Sequence, residues 1–288
     1  MTQKIKNFII LGRFHSPTGA LLLAWPCLWG ISMAKPEFLI LLKYTTILFF
    51  GSFILRAAGC AWNDILDRKI DKQTIRTKNR PIASGKLSVL DGIFFILLTS
   101  ILGLYILYNL PVTAIVISIV SIPLIIIYPL TKRITFFPQI WLGITFNIGI
   151  LIGYSCITNS YPNFIVFIMY FGAIFWTIGY DTIYAMQDYN DDKLTGVKST
   201  VTKMKDKSGL FASCAYFLSS VLFAIALIFN DFNLIIIIFI FGLGLWQSYF
   251  ALNTKITEIH KFNQGFNNSN LCGFLIWLGM IINIYFMN

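Results

Sequence analysis

The run Arg56-Ala-Ala-Gly-Cys-Ala-Trp-Asn63-Asp64-Ile-Leu-Asp67-Arg68-Lys69-Ile-Asp71 leaves an uncharged apolar segment and ends among charges. Residues 44–55, immediately before it, contain no Asp, Glu, Lys or Arg. On a helix turning about 100° per residue, Arg56 and Asn63 nearly eclipse one another. Asp67 then follows at about +40° and Asp71 at about +80° from Asn63. If the helix continues past the end of the apolar segment, one polar face carries these oxygen groups about a turn apart. That spacing suits a hard divalent cation.

The rest of the chain has the same character. Its 288 residues are 57% hydrophobic and 12% charged, with a mean hydropathy of +0.75. A water-soluble domain carries about 25% charged residues, so a soluble fold of this composition would leave much apolar surface in water. The reading is an all-α polytopic membrane protein. A span needs roughly 20 apolar residues. Nine are predicted, at 18–34, 42–60, 88–108, 112–128, 139–157, 163–181, 210–229, 232–251 and 270–287, within a single domain covering 1–288. Two uncharged runs too long for one helix are divided at Asn109-Leu110-Pro111 and around Asn159-Ser160-Tyr161-Pro162, as turn residues suggest. The first apolar run leads into a series of similar ones, so it reads as a span and not as a cleavable signal.

The formal net charge of +10 could suggest nucleic acid, but its distribution argues against that. Of the 22 Lys and Arg, all except Lys35, Lys43 and Arg56 fall on one side of the predicted bundle. Positive charge gathers on cytoplasmic loops, so that side, with the N-terminus, is expected to be cytoplasmic. The short N-terminus lacks an Arg- and Ser-rich presequence, which favours a bacterial inner membrane. Cys27, Cys60, Cys156, Cys214 and Cys272 lie in or at the ends of apolar stretches without CxxC spacing, so they read as small helix fillers.

Seven of the 12 acids fall in two short segments, both at expected cytoplasmic helix ends. The second segment is Asp181-Thr-Ile-Tyr184-Ala-Met-Gln187-Asp188-Tyr189-Asn190-Asp191-Asp192. Asp181, Tyr184, Asp188 and Asp192 share one helix face there, with Asp191 beside it. A solvated loop or a helix cap would account for one such cluster. Two clusters, each continuous with an apolar helix, point to function, because acids near a membrane are costly. Cations are interleaved with them: Arg76 and Arg80, then Lys132 and Arg133, then Lys198. Mg²⁺ binds through a few carboxylates plus substrate phosphates, and Arg or Lys takes the remaining phosphate oxygens. Acids and bases together therefore favour a phosphorylated ligand over a bare ion. Within an apolar bundle, a lipid diphosphate is the natural ligand. A cation or metabolite transporter is the rival of a different class. It would place ionisable residues at mid-membrane on broken helices, whereas the middles of these spans lack them.

These residues resemble the UbiA membrane prenyltransferase superfamily. Asn63-Asp64-x-x-Asp67-x-x-x-Asp71 with Arg76-Thr77-x-x-Arg80-Pro81 is similar to its first Asp-rich motif, Asp188-x-x-x-Asp192 to its second, and Tyr128-x-x-x-Lys132 to its Tyr-x-x-x-Lys element. Arg56-x-x-Gly59-Cys60 and the stretch Tyr180 to Thr200 resemble the 4-hydroxybenzoate polyprenyltransferase branch. The resemblance implies Mg²⁺-dependent transfer of a polyprenyl group from polyprenyl diphosphate to 4-hydroxybenzoate, with two Mg²⁺ ions, in ubiquinone biosynthesis. It implies metal ligands among Asn63, Asp64, Asp67, Asp71, Asp188 and Asp192, and diphosphate contacts from Arg76, Arg80, Lys132 and Lys198. Arg56, Tyr128 and Arg133 are the expected acceptor contacts. Asp188 and Asp191 are the expected catalytic acids, with Asp191 as the base for the phenol. Another branch, with haem or dihydroxynaphthoate as acceptor, is the rival reading within the family.

Overall fold

The computed structural model describes residues 3–287, and every regular element among them is helical. A short helix α1 (Gln3–Leu11) precedes α2 (Thr18–Met33), α3 (Phe38–Asp71), α4 (Val89–Tyr108), α5 (Val112–Ile127), α6 (Pro138–Thr158) and α7 (Phe164–Ala185). Two small helices, α8 (Tyr189–Thr195) and α9 (Thr200–Met204), lead to α10 (Ser208–Phe229), α11 (Leu234–Leu252) and α12 (Ile259–Phe286). Among the described residues, eight helical segments are long and apolar enough to cross a membrane, and α2 is a shorter apolar helix of 16 residues.

The expected hairpin breaks are present. Asn109, Leu110 and Pro111 separate α4 from α5. Asn159 closes α6 in the left-handed conformation at φ 47°, a geometry Asn tolerates. Two readings need correction. The segment 252–269 was expected to be a loop before a last span at 270, yet α12 begins at Ile259. Aromatic residues set among the polar ones give its start an inward face: Phe262 is 1% exposed, and Phe266 packs on Tyr180 and Tyr184. The second acidic segment is likewise not one continuous α-helix. A tighter 3-10 turn over Met186–Asp188 joins α7 to α8.

Helix α2 is at the centre, with only Thr18 and Leu21 of its residues outside the buried class. It packs against α3, α6 and α12, and α7 packs against α6, α10 and α12. Small residues set the closest approach. A Cβ on Gly30 would fall on the backbone of Ile150, and one on Gly153 on the backbone of Cys27, so α2 and α6 touch main chain to main chain. This is how helices associate where lipid removes the hydrophobic incentive. Trp29 then meets Trp176 edge-on at 5.0 Å between ring centroids. By contrast, α4 and α11 expose large apolar side chains such as Phe94, Ile101, Leu234 and Ile238, as lipid-facing helices do. A smaller apolar cluster of Leu11, Ala57, Ile65, Ile82 and Phe95 ties α1, α3, the 72–88 segment and α4 together beneath the charged residues.

Candidate active site

Helix α3 runs unbroken for 34 residues, about 51 Å, so it outlasts a hydrocarbon core of about 30 Å and carries Asn63 to Asp71 beyond the apolar stretch. Asp64, Asp67 and Asp71 are nonetheless buried, at 1%, 1% and 6% exposure. Carboxylates so placed need cations. The segment after α3 folds back to provide them. Arg80 reaches Asp71 at 2.9 Å and Asp64 at 3.2 Å. Arg13, from the turn after α1, donates from Nη2 to both oxygens of Asp64, at 2.8 and 3.0 Å. Lys132, in the 3-10 turn Tyr128–Arg133 after α5, donates to Asp67 Oδ2.

The second cluster lies opposite. Arg76 makes paired hydrogen bonds to Asp188, from Nε at 2.8 Å and Nη2 at 2.6 Å, and its guanidinium lies 5.8 Å from the centre of the Tyr184 ring. Burial works against the charge on Arg76, but the paired Asp188 carboxylate outweighs it, so the guanidinium is held above its ordinary pKa. The 72–88 segment is thus pinned to both acidic segments, through Arg80 to the first and through Arg76 to the second.

A polar cavity of ≈ 230 Å³ unites the two motifs. Asn63, Asp67 and Asp71 line one wall, and Asp181, Tyr184, Asp188 and Asp192 the other. Arg76, Arg80, Lys132 and Lys198 complete it. The break between α7 and α8 therefore does not scatter the expected face, since all four of its residues reach the same space. A second cavity of ≈ 150 Å³ adjoins it, with Asn63, Arg80, Tyr128 and Pro129 lining both. Its lining includes Asp64 and Arg80 together with Arg56, Leu55, Ile125 and Phe146, so it joins the charged region to an apolar interior.

Three expected site residues lie elsewhere or act differently. Asp191 lines neither cavity. Arg133 also lines neither; it donates to the Leu66 carbonyl at 3.1 Å and stands 3.7 Å from Asp67 Oδ1. Asp64 faces the second cavity and is held by two arginines, apart from Asp188 and Asp192. Sequence reasoning missed Arg13, which had counted only as a topological charge. Its contact with Asp64 spans 51 residues, and no local spacing announces it.

The residues present fit a hard divalent cation. Asn63, Asp67, Asp71, Asp188 and Asp192 supply oxygen donors to one space. Asp67 Oδ1 is buried and accepts no hydrogen bond, which leaves a lone-pair donor to spare in that wall. Among the described residues, three or more acidic, His or Cys side chains do not converge into a ready-made metal cage. Mg²⁺ is held by a few carboxylates and completed by water and substrate phosphates, and the lining of this cavity supplies such carboxylates.

The fold is thus a helical membrane bundle whose polar cavity sets two acidic motifs against four cations and adjoins a second, partly apolar cavity. The chain belongs to the UbiA prenyltransferase family, whose model matches residues 23–269. It is 32% identical over 290 residues to the 4-hydroxybenzoate octaprenyltransferase of Coxiella burnetii (strain CbuK_Q154), covering 98% of each chain. It is 43% identical over 212 residues to the mitochondrial 4-hydroxybenzoate polyprenyltransferase of Arabidopsis thaliana, covering 73% of this chain and 52% of the relative. The chain thus spans about half the length of that plant relative. The structure of a UbiA homologue from Archaeoglobus fulgidus bound to GPP and Mg²⁺ has the same fold, with a TM-score of 0.68 at 15% identity, covering 94% of this chain and 99% of that one.

Proposed function

We propose that the protein transfers a polyprenyl group from polyprenyl diphosphate to C3 of 4-hydroxybenzoate and releases pyrophosphate. The observation that carries this reading is the single cavity that gathers both acidic motifs and the bases Arg76, Arg80, Lys132 and Lys198. The names of the relatives in Coxiella and Arabidopsis support the same acceptor.

Asn63, Asp67, Asp71, Asp188 and Asp192 are the proposed Mg²⁺ ligands, with Asp64 as an outer acid held by Arg13 and Arg80. Two bound ions, when present, would neutralise diphosphate charge and make pyrophosphate a better leaving group. The four bases hold the departing oxygens. To do so, they must exchange at least part of their present bonds to Asp67, Asp71 and Asp188 for bonds to phosphate. The prenyl tail runs from the charged region towards Leu55, Ile125 and Phe146, in the second cavity. When the allylic C–O bond breaks, its electron pair leaves with pyrophosphate. The ring carbon beside the acceptor hydroxyl forms the new C–C bond and then loses its proton. Apolar walls keep water from the carbocation. Arg56, which lines that cavity with Tyr128, is the proposed partner of the acceptor carboxylate. The sequence assigned the phenol base to Asp191, and Asp191 lies outside both linings, so the hydroxyl end of the acceptor needs another partner.

The proposed setting is a bacterial inner membrane, with nine spans, the N-terminus inside and the cavity open to the cytoplasm. The positive side of the charge distribution supports that orientation. The decisive experiment incubates purified protein in detergent with Mg²⁺, prenyl diphosphates of several lengths, and a panel of 4-hydroxybenzoate, dihydroxynaphthoate and haem. Prenylated 4-hydroxybenzoate with stoichiometric pyrophosphate is the expected product. Product from another acceptor alone moves the protein to a different branch. Ion flux in liposomes without any prenylated product sinks the enzyme reading.

A further inference from the structure

Arg56 on α3 and Asp181 on α7 occupy matching positions ahead of the two acidic motifs. Arg56 stands seven residues before Asn63 on α3, and Asp181 seven residues before Asp188 at the end of α7. Each therefore lies about 10–12 Å to the membrane side of a residue assigned to the metal and diphosphate, Arg56 through two α-helical turns and Asp181 through the last turn of α7 and the 3-10 turn after it. They are opposite in sign and act on one another electrostatically. Arg56 lines the second cavity and Asp181 the first, and Tyr128 lines both, so the two charges face a continuous space around that ring.

Among the described residues, neither charge is held by an ion pair. Arg56 Nε is buried without a hydrogen-bond partner, and the guanidinium rests on the face of Phe146 at 5.5 Å. Among the described residues, no hydrogen bond or ion pair reaches the Asp181 carboxylate, whereas Asp64, Asp67, Asp71 and Asp188 in the same region are each held by a cation. A half-buried cation and a half-buried anion without ion-pair partners cost free energy unless something between them bonds to both. The complementary molecule has an anionic end for Arg56 and a hydrogen-bond donor at its other end for Asp181.

We propose that Asp181 is the residue that recognises the acceptor hydroxyl, accepting its hydrogen bond while Arg56 holds the carboxylate, so that the pair sets the orientation of the ring. This rests on the 4-hydroxybenzoate reading above and deepens it. The bond would make the site choose para-hydroxybenzoates over analogues that lack the hydroxyl donor, because an unbonded Asp181 remains desolvated when such an analogue binds.

The test compares wild type with Asp181→Asn, using KM for 4-hydroxybenzoate, KM for prenyl diphosphate, and inhibition by benzoate and 4-methoxybenzoate. In wild type both inhibitors should bind at least about tenfold more weakly than 4-hydroxybenzoate. In Asp181→Asn the KM for 4-hydroxybenzoate should rise about 10- to 100-fold. The preference over 4-methoxybenzoate should shrink towards unity, with the KM for prenyl diphosphate unchanged. If Asp181→Asn does not fold, Asp181→Ser serves for the same comparison, and the wild-type inhibitor ranking stands by itself. Equal inhibition by 4-methoxybenzoate in wild type, unchanged discrimination in a folded variant, or a loss confined to prenyl diphosphate would each overturn the assignment. Wild type that prenylates no 4-hydroxybenzoate would instead remove the functional reading on which the assignment rests.

Discussion

At the scale of single residues, the site is a set of buried acids held by cations that the chain brings from far away. Asp67 is the best placed of them. It is 1% exposed, bonded to Lys132 through one oxygen and, at the other, without a hydrogen bond and 3.7 Å from the Arg133 guanidinium. Asp67→Ala and Asp188→Ala should each lower prenyl transfer on the order of 100-fold or more, since even residues that only support metal ligands cost 10–100-fold. Product formation by membranes carrying each variant measures this, and near-normal turnover would exclude that residue from the metal set. Arg13 makes a different case. Its Nη2 donates to both oxygens of Asp64 while Nη1 donates to the Ile10 and Leu11 carbonyls, a spread of donors that the single ammonium of lysine cannot cover. Arg13→Lys should lower the melting temperature in detergent by several degrees, with Arg80 left at 3.2 Å as the main counter-charge of Asp64. An unchanged melting curve would mean that Arg80 alone suffices.

Helix elements are positioned by what is missing from their surfaces. The α2–α6 contact depends on Gly30 and Gly153, where an added methyl would meet main chain. Main chain cannot rotate away as a side chain can, so the helices must separate. Gly30→Ala and Gly153→Ala should each destabilise the bundle by about 1–3 kcal/mol. Gly103 on α4 has nothing within 4 Å of an added Cβ. Gly103→Ala should be neutral or stabilising by up to about 1 kcal/mol, through helix propensity. Thermal aggregation in detergent separates the two outcomes. Equal effects at all three positions would show that glycine is not setting the approach. The same logic explains the 72–88 segment, whose Arg76 and Arg80 join α3 to α7 and α8 and so close the cavity from one side.

For the whole molecule, orientation and metal dependence are the testable properties. In a Cys214→Ser background, Lys78→Cys should react with a membrane-impermeant maleimide only in inside-out vesicles. Tyr161→Cys, in the α6–α7 turn, should react only in right-side-out vesicles. Phe14→Cys should follow Lys78→Cys if α2 crosses the membrane. At 16 residues α2 is about 24 Å long, short of a core of about 30 Å, and its central burial lets neighbouring helices shield its ends. Opposite labelling of Phe14→Cys and Lys78→Cys would reduce the count to eight. Chelation of divalent cations should abolish product formation, and added Mg²⁺ should restore it. Persistent activity in excess chelator would leave the acidic cavity without its proposed role.

The amino-acid sequence determined the properties that depend on composition and local spacing. Low charge and long apolar runs required a helical bundle in lipid, because backbone groups there must be satisfied within each helix. Asn109 to Pro111 and Asn159 to Pro162 marked the hairpins, and the acids at helical spacing marked one face of α3 and of the α7–α8 stretch. Tertiary structure alone decided which charges meet. Arg13 and Asp64 are 51 residues apart, and Arg76 and Asp188 are 112 apart, and nothing local encodes either pair. It also made the Asn-rich stretch before residue 270 helical around the buried Phe262 and Gly265, excluded Asp191 and Arg133 from the linings, and, among the described residues, left Asp181 without an ion pair. Burial is the physical reason for the difference. Periodicity specifies which side of a helix is polar, but only the packed bundle specifies which polar groups lose water together and must therefore find one another or a ligand.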